Sequence, residues 1–161
     1  MEKIYAAITA FALSVSAHAC GSNPTDSLSG FWVDFRSASL KGNVQDISRY
    51  YSFPLVIKGP YHDDKPTRLS KTTFAKEYNS IFRSGIEGNE KSTFLKDLEE
   101  KPMGYWQNKI KKAIMPTPGV CFARIDDYVL AWESRSGWKV KEIYYNADYD
   151  ILMNYLKNPS R

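Results

Sequence analysis

The chain has 161 residues, with 22 Lys and Arg against 18 Asp and Glu, a formal charge of +4. That excess is too small to argue for a nucleic-acid protein, which calls for a clustered basic face. Aromatic residues make up 14% of the chain, with 11 Tyr and 4 Trp, which excludes a disordered chain in favour of an ordered globular body.

Met1-Glu2-Lys3 opens the chain, and an apolar run without charge follows from Ile4 to Val15. The run is shorter than the ~20 apolar residues that span a bilayer. It ends on Ala17-His18-Ala19, which has the small-x-small form of a cleavage site. Residues 1–19 are therefore predicted to be a secretory signal, and the periplasm is the predicted location. Removing them takes away one Lys and one Glu, so the charge persists. About 142 residues remain, enough for one domain, read as a short linker at 20–25 and a single domain at 26–161.

The residue after Ala19 is Cys20, and the mature chain has one other cysteine, Cys121. Two cysteines in an oxidising compartment suggest one disulfide. A lipidated Cys20 is the alternative and would make the protein a membrane-anchored lipoprotein. Ala19 suits a lipoprotein signal, but His18 does not. Two buried thiols are the third option. A metal site is not expected, because zinc takes four ligands and His62 is the one histidine of the mature chain.

Asp26 or Ser27 is positioned to cap a first helix. Leu28, Phe31, Trp32, Phe35, Ala38 and Ser39 form its apolar stripe, flanked by Asp34 and Arg36. Gly42 fits its stop, and Asn43 suits the cap of a second, short helix with Val44, Ile47 and Tyr51 on one face. Phe53 to Ile57 reads as extended. Lys58 to Pro66 is a polar turn. Ser70 caps a further helix, with Leu69 and Phe74 spaced as a hydrophobic staple. Residues 86–115 are acidic first and basic later; Phe94, Leu95 and Leu98, then Trp106, Ile110 and Ala113, have helical spacing, with strand an open alternative. Pro116 and Pro118 break the chain. Val120 to Ile125, Tyr128 to Glu133 and Trp138 to Tyr145 are predicted strands of an antiparallel meander, and Tyr149 to Leu156 a closing helix.

Helices first and a sheet after them give an α+β class. The residues Phe31-Trp32-x-x-Phe35-Arg36-x-Ala38, Phe53-Pro54-Leu55, the helix with Phe74 and Phe82, and Gly137-Trp138-x-Val140 resemble small exported bacterial proteins of the nuclear transport factor 2-like superfamily. The resemblance implies N-terminal helices packed on a curved antiparallel sheet, a cone with a pocket at its wide end, and in many members dimerisation through the sheet. The superfamily spans isomerases, dehydratases, oxygenase subunits and toxin-neutralising proteins, so the likeness assigns no reaction.

In the isomerase-like members a pocket carboxylate acts as base, which makes Asp34, with Arg36 beside it, the catalytic candidate. A charge at the edge of a stripe ordinarily meets water instead. Tyr128, Trp132, Trp138 and Tyr144 lie on strands, where they either line an apolar ligand pocket or fill the core. His62-Asp63-Asp64 has donors for a hard cation but sits among turn residues. Lys109 to Lys112 beside Trp106 has the charge to meet an anionic lipid or an acidic partner; a solvated helix face is the default. No phosphate loop and no nucleophile elbow is present, and no cofactor is expected. The leading expectation is an exported, non-catalytic binding domain for a protein partner or a small apolar ligand, toxin neutralisation or stress response being concrete versions. An isomerase- or dehydratase-like enzyme using Asp34 is the alternative.

Overall fold

A computed structural model of the chain describes residues 20, 23–86, 91–117, 120–146 and 149–158. The predicted signal, residues 1–19, lies outside the described residues, as do Glu87, Glu90 and Pro118.

Helix α1 (Pro24–Lys41) begins earlier than the expected caps Asp26 and Ser27. Pro24 takes its first position, where the ring's fixed φ suits a helix and the missing N–H costs nothing. It ends at Gly42, whose φ of 75° needs a residue without a Cβ and whose N–H reaches the Ala38 carbonyl. Asn43 caps α2 (Val44–Ile47) as expected, its side chain accepting from the Gln45 and Asp46 N–H groups. A 3₁₀ turn leads into β1 (Tyr51–Lys58), so Tyr51 is a strand residue rather than the last of a helical face.

A short strand β2 (Thr67–Leu69), not anticipated from so few residues, pairs antiparallel with β1. Ser70 caps α3 (Lys71–Tyr78), which continues as a π turn through 79–83. Both helical spacings in the ambiguous middle are helices: α4 (Thr93–Glu100), capped by Ser92, and α5 (Met103–Ala113). Then come β3 (Ile114–Thr117), β4 (Val120–Ile125), β5 (Tyr128–Glu133), β6 (Gly137–Tyr144) and α6 (Tyr149–Lys157).

The α+β class holds, with helices against a six-stranded sheet of order β2-β1-β6-β5-β4-β3. β3 through β6 form an antiparallel meander. The sheet as a whole is mixed, because β1 lies parallel to β6. A parallel pair needs a long crossover, and the chain from β2 to β5 supplies it. The sheet is open. One edge, β2, has three residues, and the other, β3, carries Pro116; a short edge and a proline both blunt the template an open edge offers. This is why Pro116 does not exclude a strand.

The core joins α1, α5 and the sheet through aromatic rings. Trp32, fully buried, lies 5.0 Å from Trp106, 5.3 Å from Phe35 and 5.4 Å from Tyr128 between centroids. Cys20 and Cys121 form a disulfide with Cα atoms 5.1 Å apart, tying the start of the domain to β4 across 101 residues of sequence. The Cys20 sulfur in this bond is the atom a thioether-linked lipid would occupy, so disulfide and lipid anchor exclude each other.

The β4–β5 turn is held by Asp126, a non-glycine residue with a φ of 48°. Its carboxylate accepts from the Tyr105 hydroxyl at 2.6 Å and pairs with Lys109 at 2.6 Å and Lys101 at 3.3 Å. Partial burial pulls its pKa up, but the hydrogen bonds from Lys109, Tyr105 and Lys101 outweigh it and hold the carboxyl below its ordinary value. A depressed folded pKa stabilises above the unfolded value and is lost as pH falls through the folded one. Asp126→Asn keeps a side chain that tolerates the left-handed turn and removes the charge. It is expected to cost about 1 kcal/mol at pH 7. In urea titrations its gap to wild type should close on acidification toward pH 3; a gap that stays constant contradicts the assignment.

Candidate functional site

The structure separates the residues singled out in the sequence into three environments. The first is the interior. Tyr51, Tyr78 and Tyr128 converge there, between Phe82, Phe94, Leu95 and Leu98. The free space among them is about 10 Å³, at the lower limit for a single water. Burial raises the pKa of all three phenols, so they remain protonated. Tyr128 meets Trp32, Phe35 and Phe94 edge-on and is buried in the core.

Arg36 is structural as well. Its Nε donates to the Leu98 carbonyl at 2.6 Å, and Nη2 lies 3.5 Å from the Glu99 carbonyl. It thus places a cation on the last turn of α4, where unpaired carbonyls and the helix dipole favour one. Arg36→Met keeps the stem and removes those donors. It is expected to lower stability by about 1.5 kcal/mol without altering any binding at the rim, as a melting curve and a binding isotherm would register together.

The second environment is a groove of about 380 Å³ where the N-terminal part of α1 meets the turn before β1 and the β5–β6 hairpin. Phe31, Asp34, Arg49, Tyr50, Trp132 and Lys139 are among its lining residues. Asp34 is exposed at this rim and is not enclosed by an apolar wall. The floor is aromatic: Phe31 meets Tyr50 edge-on at 5.7 Å, and Trp132 meets Trp138 edge-on at 5.6 Å. Trp138 is buried and fixed by its indole N–H, which donates to Ser27 Oγ at 3.0 Å. Trp132 is half-buried. The polar rim is ordered: Arg49 pairs with Asp46 at 2.8 Å, and Lys139 donates to the Arg49 carbonyl. Glu133 accepts from Ser136 and Ser52, and these bonds, the Ser136 one foremost, hold its carboxyl below the ordinary range.

Tyr144 occupies the third environment, the sheet face turned away from the helices. Arg124 covers its ring at 4.3 Å and Lys58 approaches at 5.6 Å.

His62 and Asp63 are exposed, and Asp64 turns back to accept the Tyr61 N–H at 2.8 Å, so this segment is a solvated turn. Of the lysine cluster, Lys109 pairs with Asp126, while Lys111 and Lys112 face water. Among the described residues no three His, Cys, Asp or Glu side chains come together, and no helix is long and apolar enough to cross a membrane.

Phe31 and Asp34 were read together on the first helix, but Arg49, Tyr50 and Lys139 were not linked to them or to Trp132 by the sequence. These three come from two stretches distant from the first helix, so no local spacing signals the groove. Comparison with known proteins finds no family model, no curated protein and no solved structure that matches the chain.

Proposed function

We propose that this chain is an exported, non-catalytic binding domain of the nuclear transport factor 2-like superfamily, and that its ligand is a protein held at the rim groove. The observation that carries the reading is the contrast, among the described residues, between the space around Tyr51, Tyr78 and Tyr128 and the aromatic rim groove. The interior has room for about one water, whereas the groove keeps Phe31, Tyr50, Trp132 and Arg49 accessible. A small apolar ligand needs a concave, enclosing site, and among the described residues the space between Tyr51, Tyr78 and Tyr128 is too small to be one. An open rim with Trp, Tyr and Arg has the residue types that dominate protein–protein hot spots. Neutralising a toxin or a stress-related partner is a concrete form of such binding. The periplasm is the location that suits the apolar N-terminal run and a disulfide, a bond that persists in oxidising compartments.

Asp34 serves here as a rim contact rather than as a base, since it is exposed to water. The test is native mass spectrometry of the protein released from its host's envelope without reductant. A stoichiometric protein complex is the expected result, and Trp132→Ala should weaken it at least about tenfold. A chain carrying a bound small molecule, or a complex indifferent to Trp132→Ala, would overturn the reading.

A further inference from the structure

Helices α1, α3 and α5 contact the sheet, and all five longer helices send buried residues into the core that Ala123, Ile125, Leu130 and Ile143 share, whereas the alternate strand residues Val120, Arg124 and Lys141 are exposed. Strand alternation assigns the residues of that exposed face. Cys121, Ala123 and Ile125 of β4 are buried beneath the helices, so Val120, Phe122 and Arg124 point away. The register then carries the same face across the sheet: Arg124 opposite Val129, Val129 opposite Glu142, and Glu142 beside Val56, which is opposite Arg68. Met115 opposes Phe122 at the β3 edge.

This face has an unequal charge. Lys58, Arg68, Arg124 and Lys141 lie on it against Glu142, with Lys139 and Glu133 at its border with the rim groove. Lys58 and Glu142 pair with each other at 2.6 Å, which leaves Arg68, Arg124 and Lys141 as the surplus charge, and Glu133 is engaged by two serines. The cations are laid over rings: Arg124 over Tyr144 at 4.3 Å and Lys141 over Phe122 at 5.6 Å. Beside them Met115 and Val120 are 46% and 42% exposed, two of the large apolar side chains that the fold leaves in water. Basic groups pre-oriented on aromatic rings next to exposed aliphatic side chains are complementary to an acidic protein surface with its own apolar centre.

We propose that the sheet face bearing Phe122, Arg124, Lys141 and Tyr144 docks an acidic protein surface. A second copy of the chain is disfavoured as occupant, because two copies stacked on this face would set Arg124 and Lys141 against like charges. Duplex nucleic acid is a poorer fit, since the cations are interleaved with Val129, Phe122 and Val120 rather than arrayed as a continuous basic stripe. The inference rests on the binding reading above but concerns a different surface.

The test uses the whole mature chain, ¹⁵N-labelled, and a random copolymer of glutamate and tyrosine as the acidic probe. The expected result is amide shift changes concentrated in β1, β4 and β6, weakening as salt is raised. Arg124→Glu with Lys141→Glu should weaken binding at least about tenfold. Lys111→Glu with Lys112→Glu makes the same change in net charge on α5 and should leave the affinity unchanged. Equal losses from both pairs, shifts confined to the helices, or tighter binding of phosphatidylglycerol vesicles or single-stranded DNA to the face would each overturn the proposal. The wild-type shift map needs no variant, so a misfolded variant would not blunt the test. If the copolymer misses the face while the native complex still depends on Trp132, the surface assignment fails and the binding reading stands.

Discussion

Trp32→Ala is expected to lower stability by about 4 kcal/mol, the upper range for removing a fully buried aromatic. Trp32 is 0% exposed and touches the rings of Phe35, Trp106 and Tyr128, which come from α1, α5 and β5. Removing it leaves a void at the junction of the helices and the sheet, walled by rings too rigid to collapse into it. Domains of this size have about 5–15 kcal/mol in all, so the melting temperature should fall by about 15 °C. Trp32→Phe is a useful companion. The Trp32 indole N–H is buried without a hydrogen-bond partner among the described residues, so phenylalanine loses ring volume but no hydrogen bond. It should cost roughly half as much. Equal losses from the two variants in denaturant titrations would contradict this account of the core.

The second large effect is expected from the disulfide. Replacing Cys20 and Cys121 together by alanine should remove about 3 kcal/mol. The chain-entropy estimate for closing a loop of about 100 residues is larger, ~4.7 kcal/mol, and measured gains usually fall below it. Most of the loss belongs to the unfolded chain, which is freed across 101 residues of sequence. In the folded state the change touches only the segment before α1 and one buried position on β4. Melting with and without reductant should therefore separate wild type from the double variant only in the oxidised sample. A double variant as stable as the oxidised wild type would mean that the link constrains nothing.

Most of the architecture was legible because it rests on local rules. Trp32, Phe35 and Leu28 recur at helical spacing. Asn43 and Ser70 cap the helices they were expected to cap. Gly137 permits the positive φ of the β5–β6 turn. The parts that were not legible depend on partners distant in sequence. β2 is three residues that are a strand only because Leu55, Val56 and Ile57 pair with them. The parallel pairing of β1 with β6 leaves no mark on either segment. Pro116 reads as a breaker until the strand is known to be an edge. The site was less legible still. Cys20 and Cys121 were paired by counting. Asp34 and Arg36, two residues apart on one helix, point to a rim and to the α4 carbonyls respectively. Tyr128, Trp132 and Tyr144 are on adjacent strands of one hairpin, yet they belong to the core, the groove and the open face. Alternation separates faces, but only packing decides which face is covered.

On the proposed reading the chain binds a protein at its surface while its interior stays closed. Amide hydrogen exchange of the chain alone and in its native complex tests this most directly. Binding at the rim should bring new protection to α1 around Phe31 and to the hairpin from Trp132 to Lys139, with the exchange of the interior around Tyr51 and Tyr128 unchanged. Protection confined to that interior, with the rim exchanging as freely as before, would contradict it.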